Sequence, residues 1–447
     1  MSSRLAHHSG IATTFRAHLA SALLSNQRII TMTARSTSTK ASGVVSTSLP
    51  ISAPPFYASK PHHVQPSSSG LPKSFVSPWK SAANHQMMDF LKARFLDWDE
   101  EPALPANLDI VKEVDWKATL AIASDQTAVI WLGHACGLYL LPVPSADAPT
   151  KHIRVLTDPV FSLRCSPSQW LGPKRFTPPP TSVQAIKDNG AWPHVVALSH
   201  NHYDHLDDAT LRSIVRLSDE RHPLPHFIAP LGLIPLLESL GIPRAHHTSL
   251  DWWQAVSLSL PLSPDSPEIK GELKATCTPA QHQSGRSTFD QKKTLWAGWA
   301  LDSRNEQAGS GGANVWFAGD TGLRAVPRRN MSREEEDALP VCPAFEEIGE
   351  LLGPFDLSMI PIGAYLPRIF MSSIHMAPHD AVFVHQKVKS RKSVGIHWGA
   401  WRLTPEDVLQ PPRLLVEETD RVGLPRDSFF TTKIGETTAA QVHARAT

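Results

Sequence analysis

"VVALSHNHYDHLD", residues 195–207, is the stretch that decides the fold of this chain of 447 residues. Its apolar half has the composition of a buried strand, and its polar half is crowded with histidine and aspartate. Residues two apart on an extended chain point the same way, so the imidazoles of His200 and His202 can reach one metal ion. Asp204 and His205 follow at once and can bind a second ion beside the first. Neutral imidazoles and a carboxylate suit zinc or iron; the alternative is a histidine-rich polar loop without a metal.

A two-metal centre needs further ligands, and we expect them at the ends of other strands. His282 lies in "CTPAQHQSGR", just after an apolar run, and His397 ends the apolar run in "SVGIHWG". Asp320 ends "VWFAGDTG", where its carboxylate can bridge two ions. Taken singly, each of these three residues is also compatible with an ordinary buried polar group. Together with the first stretch they give a predicted set of seven metal ligands: His200, His202, Asp204, His205, His282, Asp320 and His397.

The composition separates a basic leader from an acidic body. Residues 1–88 contain eight Lys or Arg and no Asp or Glu. Residues 1–42, rich in Arg, Ser, Thr and Ala, have the composition of a mitochondrial transit peptide; the alternative is a disordered basic leader without a targeting role. The net charge of +1 argues against a general nucleic-acid binder. Four widely spaced cysteines without a CxxC pair favour a reduced compartment over secretion.

From about residue 115 onward, short apolar runs alternate with helical patterns, which predicts an α/β fold with two similar strand-rich halves. We predict a largely disordered, Ser/Pro-rich leader and linker over residues 1–88, a main domain over 89–435 and a tail over 436–447. Two segments are expected to be surface insertions: 303–314 is Gly-rich and expected to be flexible, and 323–341 is charge-dense and expected to be solvated.

The metal-ligand pattern resembles the metallo-β-lactamase superfamily, whose hallmark is HxHxDH followed by a distant His, Asp and His. The stretches "IWLGHA" at 130–135 and "LTDPVF" at 156–161 also resemble its opening strands. The resemblance implies an αββα sandwich with the metals at one edge, so that residues 89–435 form a metallo-β-lactamase-fold hydrolase domain. We expect His134 to be structural rather than a ligand, and Asp158 to support the ligand loops from behind.

Longer motifs resemble one branch of that superfamily, the N-acylphosphatidylethanolamine-hydrolysing phospholipases D. They include "SPSQWLGPKRFTPPP", "LDWW", "TPAQHQSGR", "CPAFEEIG" and "GPFDLSMIPIGAYLPR", and the resemblance runs from about Phe75 to about Gly435. The chain departs from the branch at Ile374, where a Gln is usual. The resemblance implies two zinc ions, with iron as the alternative metal. It also implies hydrolysis of a membrane phospholipid to phosphatidic acid and an N-acylethanolamine.

A phosphodiester resists attack by an anion, so we expect a hydroxide between the two metals to attack phosphorus while the metals neutralise the developing charge. Asp204 is expected to orient the water as well as bind metal. His375 is expected to protonate the leaving oxygen or to hydrogen-bond the phosphate. Substrate contacts are predicted for Tyr203, Tyr365 and Arg368, and a structural role in its loop is the alternative for each. The alternative function is another hydrolase on this scaffold, such as a lactonase or a soluble phosphodiesterase.

The resemblance further implies a peripheral membrane enzyme that acts as a homodimer, with a membrane phospholipid as its partner and no nucleic acid. Together with the composition of the leader, it predicts a mitochondrial or membrane-associated intracellular location rather than secretion. The longest apolar candidate, residues 227–240, is shorter than the roughly 20 residues that cross a bilayer, so we predict no transmembrane helix.

Overall fold

The computed structural model describes residues 44–49, 53–65, 70–83, 85, 89, 92, 95, 97–144, 152–304 and 311–443. The predicted transit peptide and half of the predicted insertion at 303–314 lie outside the described residues. All described residues belong to one compact unit, Ala41–Thr447. Within this part of the chain, no helix combines the length and the apolar character that spanning a bilayer requires.

The strands of the described residues follow one another along the whole unit. In chain order they are β1 (Val45–Leu49), β2 (His63–Val64), β3 (Ser74–Phe75), β4 (Gln126–Gly133), β5 (Cys136–Pro142), β6 (His152–Thr157), β7 (Val195–Ala197), β8 (His226–Pro230), β9 (His247–Leu250), β10 (Ala255–Pro261), β11 (Lys270–Thr278), β12 (Gly298–Asp302), β13 (Asn314–Phe317), β14 (Leu357–Pro361), β15 (Ser393–Ile396), β16 (Phe429–Phe430) and β17 (Thr437–Gln441).

These strands pair into two large sheets and one small one. The first sheet has the order β1-β10-β11-β12-β13-β14-β15-β16, with antiparallel pairs up to β13 and parallel pairs from there on. The second sheet has the order β17-β4-β5-β6-β7-β8-β9, antiparallel up to β6 and parallel beyond it. Strands β2 and β3 form a separate antiparallel pair. Both large sheets therefore change from antiparallel to parallel pairing at an internal strand, as expected for two similar halves.

Helices connect many of these strands. In chain order the α-helices of the described residues are α1 (Trp116–Leu120), α2 (Val183–Asp188), α3 (Asp208–Leu217), α4 (Ile234–Ser239), α5 (Arg333–Asp337), α6 (Ala344–Leu351), α7 (Arg368–Met371), α8 (Pro378–Lys387) and α9 (Gln410–Arg421), and two short 3-10 helices span Pro55–Ser59 and Arg244–His246.

Strand β4 shows why the apolar runs are continuous rather than alternating. Val129 and Trp131 belong to the core between the two sheets. Ile130 and Leu132, which point to the other face, belong to a second core with residues of α2, α3 and α4. A strand that is buried on both faces needs apolar residues at every position. The continuous run in β4 therefore marks an inner strand of a layered fold.

The layers complete the predicted sandwich. Residues of α6, α8 and α9, among them Phe345, Val384 and Leu415, pack in the same core as the eight-stranded sheet. The two sheets approach closely at Gly137 of β5, where an added Cβ would lie 2.5 Å from the sulfur of Met359 in β14. Helices thus cover the outer face of each sheet, which confirms the predicted αββα fold.

Four of the described strands lie outside the main domain as predicted from composition, 89–435: β1, β2, β3 and β17. Strand β1 pairs with β10 over five residue pairs, and β17 pairs with β4 over five more. The linker prediction for 1–88 and the tail prediction for 436–447 are therefore corrected for these strands, which belong to the sheets. The remaining division into a leader and a hydrolase domain stays a prediction.

The sequence predicted that the charge-dense segment 323–341 is solvated, but part of this segment is buried in the fold. It carries helix α5, which Ser332 and Glu335 cap reciprocally through side-chain and backbone contacts. Arg324 and Glu336 are buried. Because buried charges must be paired, this segment is tied to the fold: Arg324 pairs with Asp380 at 3.1 Å.

Candidate metal centre

All seven predicted ligands follow strand ends that meet at one edge of the sandwich. The loop after β7 supplies the four ligands of the HxHxDH stretch, and the segment after β11 supplies His282. Strands β13 and β15 run parallel in the eight-stranded sheet, with β14 between them, and end just before Asp320 and His397. The carboxyl ends of parallel strands lie at the same edge of a sheet, which explains how residues from four segments converge there.

Asp320 lies at the middle of this cluster. Its Oδ2 is 3.0 Å from Nε2 of His205, and its Oδ1 is 3.1 Å from Nε2 of His397. The same carboxylate is 3.7 Å from Nε2 of His282. Both oxygens are buried, and among the described residues neither has a hydrogen-bond partner. A buried carboxylate without hydrogen bonds is costly, and a metal ion on each oxygen would remove that cost.

The other ligands form two groups whose donor atoms lie within 4.8 Å of one another. One group consists of His200, His202 and His282, and the other contains Asp204, His205 and His397. Asp320 contacts members of both groups. The structure thus brings the seven predicted residues together in an arrangement suited to two ions with a shared carboxylate. Their role as ligands stays a prediction.

Hydrogen bonds behind the cluster orient three of the rings. Nδ1 of His205 lies 2.7 Å from Oδ2 of Asp158, and Nδ1 of His282 lies 2.8 Å from the carbonyl oxygen of Ile374. Nδ1 of His200 lies 2.9 Å from the hydroxyl of Ser199. A ring that donates from Nδ1 keeps its Nε2 lone pair for a metal. Asp158 therefore supports the ligand loop from behind, as the sequence indicated.

The donor set fits zinc or iron. Burial, the largest cause, lowers the pKa of His200 and of His282 well below that of a free imidazole. Both rings are therefore neutral and can donate a lone pair. Imidazole nitrogens with two aspartates match the preferences of these two metals.

His134, which the sequence predicted to be structural rather than a ligand, lies beside the centre. Its Nε2 lies 2.8 Å from Oδ2 of Asp204, and its ring centroid is 3.9 Å from that of His397. It belongs to the same geometric group as Asp204 and His205. His134 stands one residue after β4, with a backbone φ of 53°. Its contact with Asp204 fits a structural role, which stays a prediction.

Arg286 was also missed, although it lies in the quoted motif "TPAQHQSGR". Its Nε donates to the carbonyl oxygen of Asn201 at 2.6 Å, and Nη1 donates to Asp208 at 2.7 Å. Its Nη2 donates to the carbonyl oxygen of Leu206. One guanidinium thus holds the HxHxDH loop at three points. A metal site of defined geometry needs its ligand loop to be held in one conformation in this way.

His375 lies next to the predicted ligands. Its Nδ1 is 3.9 Å from Oδ2 of Asp320, and its ring centroid is 5.1 Å from those of His282 and His397. Burial lowers the pKa of His375 to about 3. The residue is therefore within reach of anything held at Asp320, which is the place that the sequence predicted for it.

The three predicted substrate contacts have different surroundings. Tyr203 is half-buried beside the centre, and the guanidinium of Arg286 lies 4.4 Å from its ring centroid. The hydroxyl of Tyr365 donates to Gln410 at 2.6 Å. Arg368 pairs with Glu336 at 2.6 Å and with Asp380 at 2.8 Å. These partners favour a structural role for Tyr365 and Arg368, and all three substrate contacts stay untested predictions.

A family model described as a Beta-lactamase superfamily domain matches residues 153–398. Among curated relatives, "N-acyl-phosphatidylethanolamine-hydrolyzing phospholipase D 1" of Caenorhabditis elegans is 36% identical over 313 residues, covering 68% of this chain and 74% of that protein. An uncharacterized protein of Mycobacterium tuberculosis is 36% identical over 66% of this chain and 64% of its own length. "N-acyl-phosphatidylethanolamine-hydrolyzing phospholipase D, mitochondrial" of Saccharomyces cerevisiae is 27% identical over 76% of this chain and 63% of its own length.

The chain therefore belongs to the beta-lactamase superfamily, as a metal-dependent hydrolase with that fold. Within the superfamily it is a homologue of the proteins named N-acyl-phosphatidylethanolamine-hydrolyzing phospholipase D. It spans less than two thirds of the length of the mycobacterial and yeast relatives.

Solved structures with a similar chain path include a metallo hydrolase from the archaeon Ignicoccus hospitalis, with a TM-score of 0.42 and 18% identity over 71% of this chain and 100% of that one. An isothiocyanate hydrolase from Delia radicum gut bacteria gives a TM-score of 0.45 and 16% identity over 70% of this chain and 100% of that one. Since both scores are below 0.5, the family match carries the assignment.

Proposed function

We propose that this hydrolase is a phospholipase of the D type, which uses two zinc ions to cleave N-acylphosphatidylethanolamine into phosphatidic acid and an N-acylethanolamine. The observation that carries the proposal is Asp320, whose two buried oxygens face histidines of both ligand groups. That arrangement suits a pair of ions, and paired ions are the usual solution for hydrolysing phosphodiesters. The choice of substrate is supported by the relative from Caenorhabditis elegans and its printed name.

Bound metal ions would supply a water of lowered pKa and would neutralise charge on the phosphate. Seven side chains of this chain would hold them: His200, His202, Asp204, His205, His282, Asp320 and His397. In the reaction, the water oxygen forms a bond to phosphorus, and the bond from phosphorus to the ethanolamine oxygen breaks. The leaving oxygen then takes up a proton.

The chain offers one group for each proton movement. Asp204, which His134 holds at 2.8 Å, orients the attacking water. Nδ1 of His375 lies 3.9 Å from Oδ2 of Asp320, and the ring is neutral because burial lowers its pKa to about 3. Its ring N–H is therefore suited to hydrogen-bond the phosphate, or to donate to the leaving oxygen as negative charge develops there. Tyr203, the half-buried residue of the ligand loop, is the substrate contact that the geometry supports best.

Two loops beside the centre are suited to a lipid surface. Trp170 and Leu171 are 89% and 75% exposed, in a loop whose last part places Arg175 over the ring of Trp401, 3.9 Å from its centroid. Phe289 is 85% exposed in the loop that begins at Arg286. Exposed aromatic groups with basic neighbours are typical of peripheral membrane binding. Both loops have such neighbours, Lys174 and Lys293 among them.

The activity is tested with purified, zinc-loaded protein and N-acylphosphatidylethanolamine in mixed micelles. We expect release of phosphatidic acid, and we expect the variant His202→Asn, which removes one predicted ligand, to lose it. Cleavage of a lactone or of a soluble phosphodiester while the lipid stays intact would overturn the proposal in favour of another hydrolase on this scaffold.

We also propose a mitochondrial location and a homodimer. The location is supported by the composition of the leader and by the yeast relative, whose name includes the word mitochondrial. The homodimer rests on the family resemblance. A fluorescent fusion of residues 1–60 tests the location, because a diffuse cytosolic signal would remove it. Light scattering on the purified chain tests the dimer, and a monomeric mass would remove that proposal.

A further inference from the structure

A second cluster of histidine and aspartate lies apart from the centre described above. His62 and His63 stand at the start of the small sheet formed by β2 and β3, and Asp251 directly follows β9. One nitrogen from each histidine and one oxygen of the aspartate lie within 4.8 Å of one another. None of these residues belongs to the ligand groups around Asp320.

Each oxygen of the Asp251 carboxylate faces a different imidazole. Oδ1 lies 2.8 Å from Nε2 of His62, and Oδ2 lies 3.0 Å from Nε2 of His63. The contact of His63 has the distance but not the angle of a hydrogen bond. Because Nε2 of His63 makes no hydrogen bond to the carboxylate, its lone pair is available to a metal ion. The two rings stand nearly perpendicular, at 78°, with centroids 4.4 Å apart.

The cluster is buried and carries negative charge. His62 is 1% and Asp251 is 2% exposed. Burial, the largest cause, lowers the pKa of His62, so this ring is neutral. Burial raises the pKa of Asp251, but the close contacts with the two histidines outweigh it and keep the carboxylate ionised. Lys60 partly compensates the charge, with its Nζ 3.2 Å from Oδ2 and its side chain 54% exposed.

We propose that His62, His63 and Asp251 form a third metal site, separate from the dinuclear centre, which takes a divalent transition ion such as Zn²⁺. Two imidazoles and a carboxylate are a common zinc ligand set, and water completes the fourth position. Lys60 balances the carboxylate when no ion is bound, and its exposed side chain can move into water when an ion enters. The ammonium group of Lys60 therefore competes with the ion.

The site would fix the N-terminal segment against the core behind His282. The ring of His62 stacks on Trp252 at a centroid distance of 4.3 Å. The indole of Trp252 donates to the carbonyl oxygen of Trp296 at 2.7 Å, and that of Trp296 donates to the carbonyl oxygen of Ala280 at 2.8 Å. Ala280 stands two residues before His282. An ion at the third site would thus be structural, because it would hold residues 60–64 against the indole rings of Trp252 and Trp296.

The test is the zinc content of the full-length chain. Metal-depleted protein is equilibrated with Zn²⁺ at a series of buffered free concentrations, and zinc per chain is measured by mass spectrometry. We expect His63→Asn to bind one zinc fewer per chain than the unaltered protein. The matched control is His226→Asn, which removes a buried histidine that faces Thr248 rather than a carboxylate. Equal zinc content in His63→Asn and the unaltered protein overturns the proposal.

A second variant guards against a folding defect in the first. Lys60→Ala removes the competing ammonium group at an exposed position, so the extra zinc should bind up to about fivefold more tightly. Unchanged or weaker binding counts against the site. The variant His202→Asn distinguishes the third site from the proposed dinuclear centre. It should lose activity and zinc at the dinuclear centre, but it should still bind the zinc ion that His63→Asn lacks.

Discussion

The carboxylate of Asp204 lies among three imidazoles, of which His134 and His397 come from distant parts of the chain. Its Oδ2 is 2.8 Å from Nε2 of His134, 3.6 Å from Nε2 of His205 and 3.8 Å from Nε2 of His397. The contact with His134 spans 70 positions of sequence. No local pattern encodes such a contact, because it depends on where the end of β4 packs against the ligand loop. This is why the sequence indicated a structural role for His134 without indicating that its partner is Asp204.

Asp158 acts on the centre through His205. Its Oδ1 accepts from the backbone N–H of Ser199 at 2.7 Å, and its Oδ2 lies 2.7 Å from Nδ1 of His205. The variant Asp158→Asn loses the charge that orients the ring, so we expect metal affinity to fall by about 10-fold to 100-fold. Competition with a chelator measures the affinity. The control is Asp219→Asn, a surface carboxylate paired with Lys187; equal affinity in both variants would contradict this role.

His375 is the predicted donor to the leaving oxygen or to the phosphate, and its replacement separates catalysis from metal binding. We expect His375→Ala to lower turnover by about 100-fold, since a hydrogen-bond donor positioned at the developing charge typically contributes that much. Zinc content should stay near that of the unaltered protein. Parallel measurements of turnover and bound zinc check both parts. The control is His379→Ala, which removes a histidine paired with Glu336 instead. Loss of zinc in His375→Ala would identify the residue as a ligand.

At the scale of elements, strand ends were the most predictable part of the site. The runs that end before His200, Asp320 and His397 are largely apolar, and the strands they form, β7, β13 and β15, are buried at every position. Burial on two faces produces a signal that is visible in sequence. The loops gave no comparable signal. "IPIGAYLPR" predicted substrate contacts for Tyr365 and Arg368, whereas the hydrogen bond to Gln410 and the ion pairs with Glu336 and Asp380 depend on packing.

The loop that carries Trp170 is expected to bind lipid surfaces. We predict that the double variant Trp170→Ser, Leu171→Ser reduces binding to vesicles containing anionic phospholipid, because it removes two exposed apolar side chains from a loop with basic neighbours. Co-sedimentation with vesicles measures the binding. The matched control is Leu351→Ser, an apolar residue of α6 that is 42% exposed. Equal loss of vesicle binding in both variants would show that the loop does not contribute specifically to membrane binding.

On the scale of the whole molecule, acid should weaken the fold through His385, a buried histidine that is not one of the predicted metal ligands. Burial lowers the pKa of His385 to about 4, against 6.5 for the free residue. As the pH falls below 6.5 the unfolded chain takes up this proton first. The contribution of His385 to stability is therefore full above pH 6.5 and is lost progressively down to about pH 4, by up to about 1.4 kcal/mol per pH unit.

This loss is isolated by comparing the unaltered protein with His385→Asn. The difference in their free energies of unfolding should shrink as the pH falls from 6.5 to 4, because the variant lacks the titrating ring. Urea titrations at several pH values measure it, and the subtraction removes effects shared by both proteins, such as protonation of the metal ligands. A difference that does not change with pH would show that His385 is not buried as a neutral ring.

The main domain predicted from composition, 89–435, begins too late and ends too early, because β1 precedes it and β17 follows it. Residues 45–49 are Ser-, Thr- and Val-rich, like the linker around them, yet they pair with residues 255–259 along the edge of the first sheet. Short edge strands bury few side chains, so their sequences carry little hydrophobic signal. Pairing of the backbone, rather than side-chain chemistry, incorporates them into the fold.

Strand β1 sets a limit on any proteolytic maturation of the leader. If import into an organelle is followed by removal of the N-terminus, the cut has to fall before Val45, because cleavage beyond Leu49 would strip β10 of its neighbour and leave its edge open to pairing with another molecule. A recombinant form that starts near residue 44 would keep the sheet intact, whereas one trimmed to the start of the motifs at Phe75 would be prone to aggregate.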